Sequence, residues 1–318
     1  MRIVAIAALG LALRAMGQPV PAVEENIPWL VTFGAQSDPG WGDDDFCQVF
    51  FFVVPKGTQQ PVHIRVFDPD CGGTSDEPKG AYDSRTRFSV YGGKGAISDP
   101  AARGTQPEGN FRSGNLLAMR EFAADARYDG QWYTFGPFDP NAGEAMPEYG
   151  GLVFKVICEG ASGDDGNLYR YFMSTRSTAN EAIEGGNAFT FEYTFRMHDD
   201  PNEVSHIYPY IDDKVVSVKQ SNFDWDGDGF VRIVSVAKKG DLVLASGQNA
   251  WVHSEHRITT EEHNTSLDIR FIKRQDVAVK NNNVVFLVRN QYGELLPFFT
   301  VPIGGIPQFK PSIVARKQ

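Results

Sequence analysis

Only three cysteines occur in 318 residues, and no apolar run reaches the ~18 residues that a membrane-crossing helix needs. The first scarcity excludes a disulfide-dense scaffold, and the second leaves the chain without a helical membrane span. Helical periodicity is nearly missing too: residues 115–126 form the one extended helix candidate, and residues 178–184 offer a single turn. Basic residues are short, with 30 Lys and Arg against 40 Asp and Glu and a net charge of −10. The deficit lies in residues 1–200, which hold 16 basic against 27 acidic side chains, while residues 201–318 are balanced at 14 against 13. Such a balance excludes nucleic acid as a partner and suits cation binding or plain solubility. Familiar catalytic spacings are absent: there is no His-Glu-x-x-His, Gly160-Ala161-Ser162-Gly163 is one residue short of a nucleophile elbow, and Gly92-Gly93-Lys94-Gly95 lacks the rest of a P-loop. Paired carboxylates of a glycosidase would be set by the fold rather than by spacing, so the acid count is no evidence for them.

What is present reads as strands. Segments such as 48–54, 62–67, 87–91, 152–157 and 188–195 are rich in β-branched and aromatic residues, and 32 Gly and 19 Pro supply turns between them. Phe189, Phe191, Tyr193 and Phe195 alternate on one face, as in a strand with one buried side. The pattern predicts an all-β protein of two sandwich domains. Residues 23–200 would form a larger, jelly-roll-like sandwich, and residues 201–304 an immunoglobulin-like one of seven or eight short strands. The seam is placed at the turn residues 198–202, and 305–318 is read as a loose tail. At the N-terminus, Arg2 and the apolar run 4–13 match a signal peptide, with small residues fitting a cut before Gln18 or before Val23. Residues 1–22 are assigned to it; a short buried helix is the alternative. A secreted protein is thereby expected.

In an exported chain three cysteines suggest one disulfide and one spare thiol. If 46–54 and 61–67 form a hairpin, Cys47 and Cys71 are symmetric about its turn at 55–60 and meet at one end. A Cys47–Cys71 bridge is expected, with Cys158 a buried free thiol.

The strongest local signal is Asp224-Trp225-Asp226-Gly227-Asp228-Gly229-Phe230-Val231. Three carboxylates at alternate positions followed by Gly let a short loop wrap oxygens round one hard cation. Asp224, Asp226 and Asp228 would bind calcium through side chains and Phe230 through its carbonyl. Position twelve is Ser235 rather than Glu, and the flanks read as strands, so the likeness to an EF-hand loop ends there. The alternative is an acidic β-turn. Further acidic turns at 43–45, 68–70 and 163–167 are read as solvated turns, or as a second cation site should the first two meet. His253, Glu255 and His256 are polar strand residues, with zinc as the remote alternative. Trp41, Trp132, Trp225 and Trp251 lie beside turns or strand ends, where an exposed ring stacks on sugars; packing is the commoner role. Trp225, pointing away from the cation, is proposed as the ligand-binding residue.

Asp45-Phe46, Phe50-Phe51-Phe52-Val53-Val54-Pro55, Gly57-Thr58 and the following 62–70 resemble the opening of bacterial pre-peptidase C-terminal domains. The resemblance covers about 30 residues and implies a small secreted accessory β-sandwich without catalytic residues; the length and the cysteines depart from it. The combined expectation is a secreted, non-catalytic, calcium-stabilised module that binds an extracellular polysaccharide or cell-surface protein. A self-associating subunit of an extracellular fibre or surface layer is the alternative, and a secreted hydrolase the third reading.

Overall fold

The computed structural model describes residues 19–104, 112–276 and 282–311. Its elements are β-strands joined by turns and six short 3-10 segments, so the protein is all-β. A long antiparallel sheet runs, in spatial order, through Trp251–Arg257, Ser217–Phe223, Asn283–Asn290, Glu192–Arg196, Trp29–Phe33, Gly166–Ser174, Val62–Phe67 and Trp132–Phe138. A second sheet orders Phe298–Phe299, Asn187–Thr190, Cys47–Pro55, Gly151–Ser162, Arg85–Gly92 and Asn115–Phe122. It faces the part of the long sheet contributed by the first half of the chain. A third, of Val204–Ile207, Asp268–Lys273, Gly229–Val234 and Lys239–Val243, covers the remainder.

Aromatic side chains fill the space between layers. Phe50 and Phe52 meet Tyr171, and Phe88 meets Tyr169, mostly edge to face. In the second half Phe271 packs edge-on against both Phe195 and Phe286. Because Glu192–Arg196 pairs with Asn283–Asn290, the sheet passes through the composition seam, and one apolar cluster contains residues from both sides.

Several expectations are corrected. Residues 115–122 are a strand, not a helix: they pair along Arg85–Gly92, and this ladder outweighs the helix propensity of Leu, Ala, Met and Glu. Residues 178–184 form no helical turn; Ala182 bridges to Ser174. The tail is tied down in its described part, since Lys310 N donates to Val236 O and Pro307 is buried. Residues 1–18, most of the expected signal peptide, lie outside the described residues. Pro19–Val20, however, pairs with Tyr171 and Phe172, and Val20 and Ala22 are buried, so residues 19–22 belong to the fold.

The Cys47–Cys71 bridge is also corrected. Cys47–Pro55 and Val62–Phe67 are not a hairpin: the first pairs with Gly151–Ser162 in one sheet, the second with Gly166–Ser174 in the other. The connection at 56–61 crosses between layers, which removes the symmetry that placed the cysteines together. Cys47, Cys71 and Cys158 are all buried free thiols.

Candidate functional site

The loop 224–228 joins Ser217–Phe223 to Gly229–Val234 and so carries the chain from the long sheet to the third. Asp224, Asp226 and Gly227 all take left-handed backbone angles, at φ 58°, 54° and 69°. Ser246 staples the turn: its hydroxyl accepts from Trp225 N and its carbonyl from Gly227 N, both at 2.8 Å. Asp224 Oδ1 accepts from Asn249 N. Asp224 and Asp228 are buried and Asp226 is half-buried, so the three acids share one compact, partly dry loop. Phe230 lies opposite Ile272 with its side chain 45% exposed. Trp225 does not serve as a ligand platform. Its ring is 0% exposed and packs edge-on to Phe271, and a Cβ at Gly229 would stand 2.6 Å from it. The aromatic that seemed dispensable for ligation is the loop's anchor in the core.

The acidic turns, read as solvated or else as a pairing of 43–45 with 68–70, gather with other acids instead. Asp44, Asp45 and Glu192 bring carboxylate oxygens within 4.8 Å of one another, as do Asp83, Asp164 and Asp165. Asp165 is a structural acceptor: it takes the N–H groups of Lys79, Asp83 and Ser84, and these bonds hold its carboxyl below the ordinary range despite burial. Asp43 accepts from Phe33 N and Phe46 N, but burial outweighs both and pushes its carboxyl up to about 7.

Of the four tryptophans beside turns, Trp225 is buried and Trp41, Trp132 and Trp251 are half-buried, the first two with a cation over the ring. Lys79 Nζ lies 3.8 Å from the centroid of Trp41, the Arg65 guanidinium 4.9 Å from that of Trp132, and Trp225 is buried. Trp251 is half-buried, tilted against Phe223, and held by a 2.9 Å hydrogen bond from its Nε1 to Asp44. It lines a surface cavity of about 410 Å³ with Lys219, Ser221, His253, Leu287 and Arg289. Three adjacent strands supply these residues, since Ser221 pairs with His253 on one side and Leu287 on the other. Ser221 and His253 Nδ1 are 2.8 Å apart, which fixes the imidazole, and burial followed by the Lys219 charge lowers its pKa. His253, Glu255 and His256 do not converge as three zinc ligands: alternation keeps Glu255 on the face of His253, opposite Lys219, and puts His256 on the other face. No single motif encodes this patch, because its members are 70 residues apart in sequence and meet only through strand register. Its aromatic member, Trp251, was legible; its cations Lys219 and Arg289 were not.

Comparison with protein-family models and with curated proteins returns no match.

Proposed function

We propose that this chain is a secreted, non-catalytic β-sandwich module that binds an acidic extracellular polysaccharide on the face around Trp251. The observation carrying this reading is the cavity that combines one indole ring with Lys219, Arg289 and His253. A sugar ring stacks on an indole with little ordering cost when the indole is already fixed, and two cations favour uronate or sulfate groups. The short likeness to pre-peptidase C-terminal domains supports the same accessory role. Calcium remains part of the proposal, held by Asp224, Asp226, Asp228 and the Phe230 carbonyl; the alternating spacing and the burial of Asp224 and Asp228 support it. Retention on immobilised uronate-containing and neutral polysaccharides tests the module. Salt-sensitive retention on the acidic matrix, lost in Trp251→Ala at unchanged melting temperature, is expected. Equal retention of wild type and Trp251→Ala on both matrices overturns the proposal.

A second reading, a self-associating surface-layer subunit, is favoured by a different feature. The edge strand Lys239–Val243 carries Leu242 at 61% exposure, with Leu244 at 60% and Phe230 at 45% nearby. Exposed apolar residues on an open edge are a pairing surface. Size exclusion discriminates: concentration-dependent oligomers abolished by Leu242→Lys support this reading, and a monomer throughout excludes it.

A further inference from the structure

Three buried oxygens at the end of the first sandwich accept no hydrogen bond. Strand Val62–Phe67 runs into Asp68-Pro69-Asp70, where Asp68 turns the chain with φ 57°. The neighbouring strand Gly166–Ser174, in register through Arg170 opposite Phe67, continues alongside and brings Asn167 to this turn. Asn167 Nδ2 donates to Pro69 O at 3.0 Å, which fixes the amide and commits its Oδ1 to the remaining direction. That Oδ1 is buried without a donor. Asp68 accepts Gly130 N through Oδ1 at 2.8 Å, and Asp70 accepts Asp125 N through Oδ2 at 2.9 Å. The other oxygen of each, Asp68 Oδ2 and Asp70 Oδ1, is buried with no donor in hydrogen-bonding geometry, and the nearby Ser75 hydroxyl favours the charged form of Asp68. All three side chains are at most 1% exposed.

We infer that Asp68, Asp70 and Asn167 hold a calcium ion through these three oxygens. Two carboxylates and an amide carbonyl are hard oxygen ligands, and a cation requires acceptors that are not already engaged by donors. A water molecule supplies two protons, too few for three acceptors, and leaves both carboxylate charges uncompensated. The local charges agree. Asp129 lies against Gly73, where a Cβ would stand 2.2 Å from Asp129 Oδ1, and it adds a negative field to both acids. Asp76 adds to this acidity, its carboxyl engaged by Gly72 N and Leu168 N. Arg170 favours the charged form of Asp68, but its guanidinium is stacked 3.9 Å from the Trp29 ring centroid.

The site uses different residues from the Asp224 loop and is separable from it by experiment. Full-length chain is stripped with chelator, and calcium stoichiometry is measured by equilibrium dialysis together with melting in calcium and in chelator. Asp70→Asn is expected to bind one calcium fewer than wild type and to lose part of the calcium-dependent rise in melting temperature. In chelator it melts no lower than wild type, because one of the repelling charges is gone. Asp226→Asn leaves this site filled, so its effect reports only on the other loop. Asn167→Ala, which removes the third oxygen, is expected to bind calcium at least tenfold more weakly and serves if Asp70→Asn does not fold. Unchanged stoichiometry in Asp70→Asn, or unchanged affinity in Asn167→Ala, overturns the assignment.

Discussion

The indole Nε1 of Trp251 donates to Asp44 Oδ2 at 2.9 Å, joining strand Trp251–Arg257 to a loop 207 residues earlier in the chain. The bond orients the ring beside Lys219 and Arg289, so Asp44 acts on the proposed sugar-binding face as a positioning residue. Asp44→Ala is expected to weaken acidic-polysaccharide binding several-fold and Trp251→Ala to abolish it. Isothermal titration calorimetry reads both. An Asp44→Ala affinity equal to wild type would remove the positioning role.

Phe271 is fully buried and touches Phe195 on the long sheet as well as Phe286 and Trp225. Its truncation leaves a cavity where the third sheet meets the long one. Phe271→Ala is expected to cost about 3–5 kcal/mol and to lower a single unfolding transition. Two separate calorimetric transitions, with only one shifted, would show that the halves melt independently despite their shared sheet.

Burial pushes the Glu25 carboxyl up to about 8, although Ala22 N and the Tyr193 hydroxyl donate to it and favour its charged form. The unfolded chain releases this proton near 4.5 and the folded chain near 8. The folded state therefore binds more protons in between, and stability that is present below pH 4.5 is lost as pH rises to 8. Glu25→Gln removes this dependence. Denaturant titrations from pH 4.5 to 8 should show a flatter profile for the variant, with a gain on the order of a few kcal/mol at pH 8. Parallel profiles would exclude the role.

Pro19–Val20 pairs with the strand Gly166–Ser174, and Val20 is 0% exposed. Between the two cuts read from the sequence, the one before Gln18 keeps this pairing and the one before Val23 removes it. A chain starting at Val23 is expected to be less stable than one starting at Gln18 by about 1.5–3 kcal/mol, the value of burying one such side chain. N-terminal sequencing of exported material should find Gln18. A mature terminus at Val23 with unchanged stability would contradict this.

Cys47, Cys71 and Cys158 are buried, and burial is the leading reason that each thiol is pushed up from its ordinary range. The native protein should resist alkylation at pH 8 and take three labels in denaturant without reductant. Mass spectrometry decides, and a species two labels short would reveal a disulfide.

The sequence by itself determined the class of fold. Alternation at 188–195 and the aromatic runs at 48–54 and 152–157 report burial directly, because side chains of a strand point to opposite faces every second residue. It also located the acidic turns at 43–45, 68–70 and 224–228, whose Asp residues, with Pro69 and Gly227, are types that turns favour for local backbone reasons. Which strands pair was not legible. Strands Cys47–Pro55 and Val62–Phe67 are adjacent in sequence yet lie in opposite layers, and Glu192–Arg196 finds its partner beyond the compositional seam. Pairing is fixed by long-range register and by closing the aromatic core, neither of which leaves a trace in local spacing. The same holds for side-chain direction at a turn. Trp225 and Trp251 look equivalent in sequence, and only the packing of Phe271 draws the first inward, while Asp44 secures the second at the surface. Asn167 joins Asp68 and Asp70 for a related reason: strand register carries it some 100 residues along the chain to oxygens that no local pattern links to it.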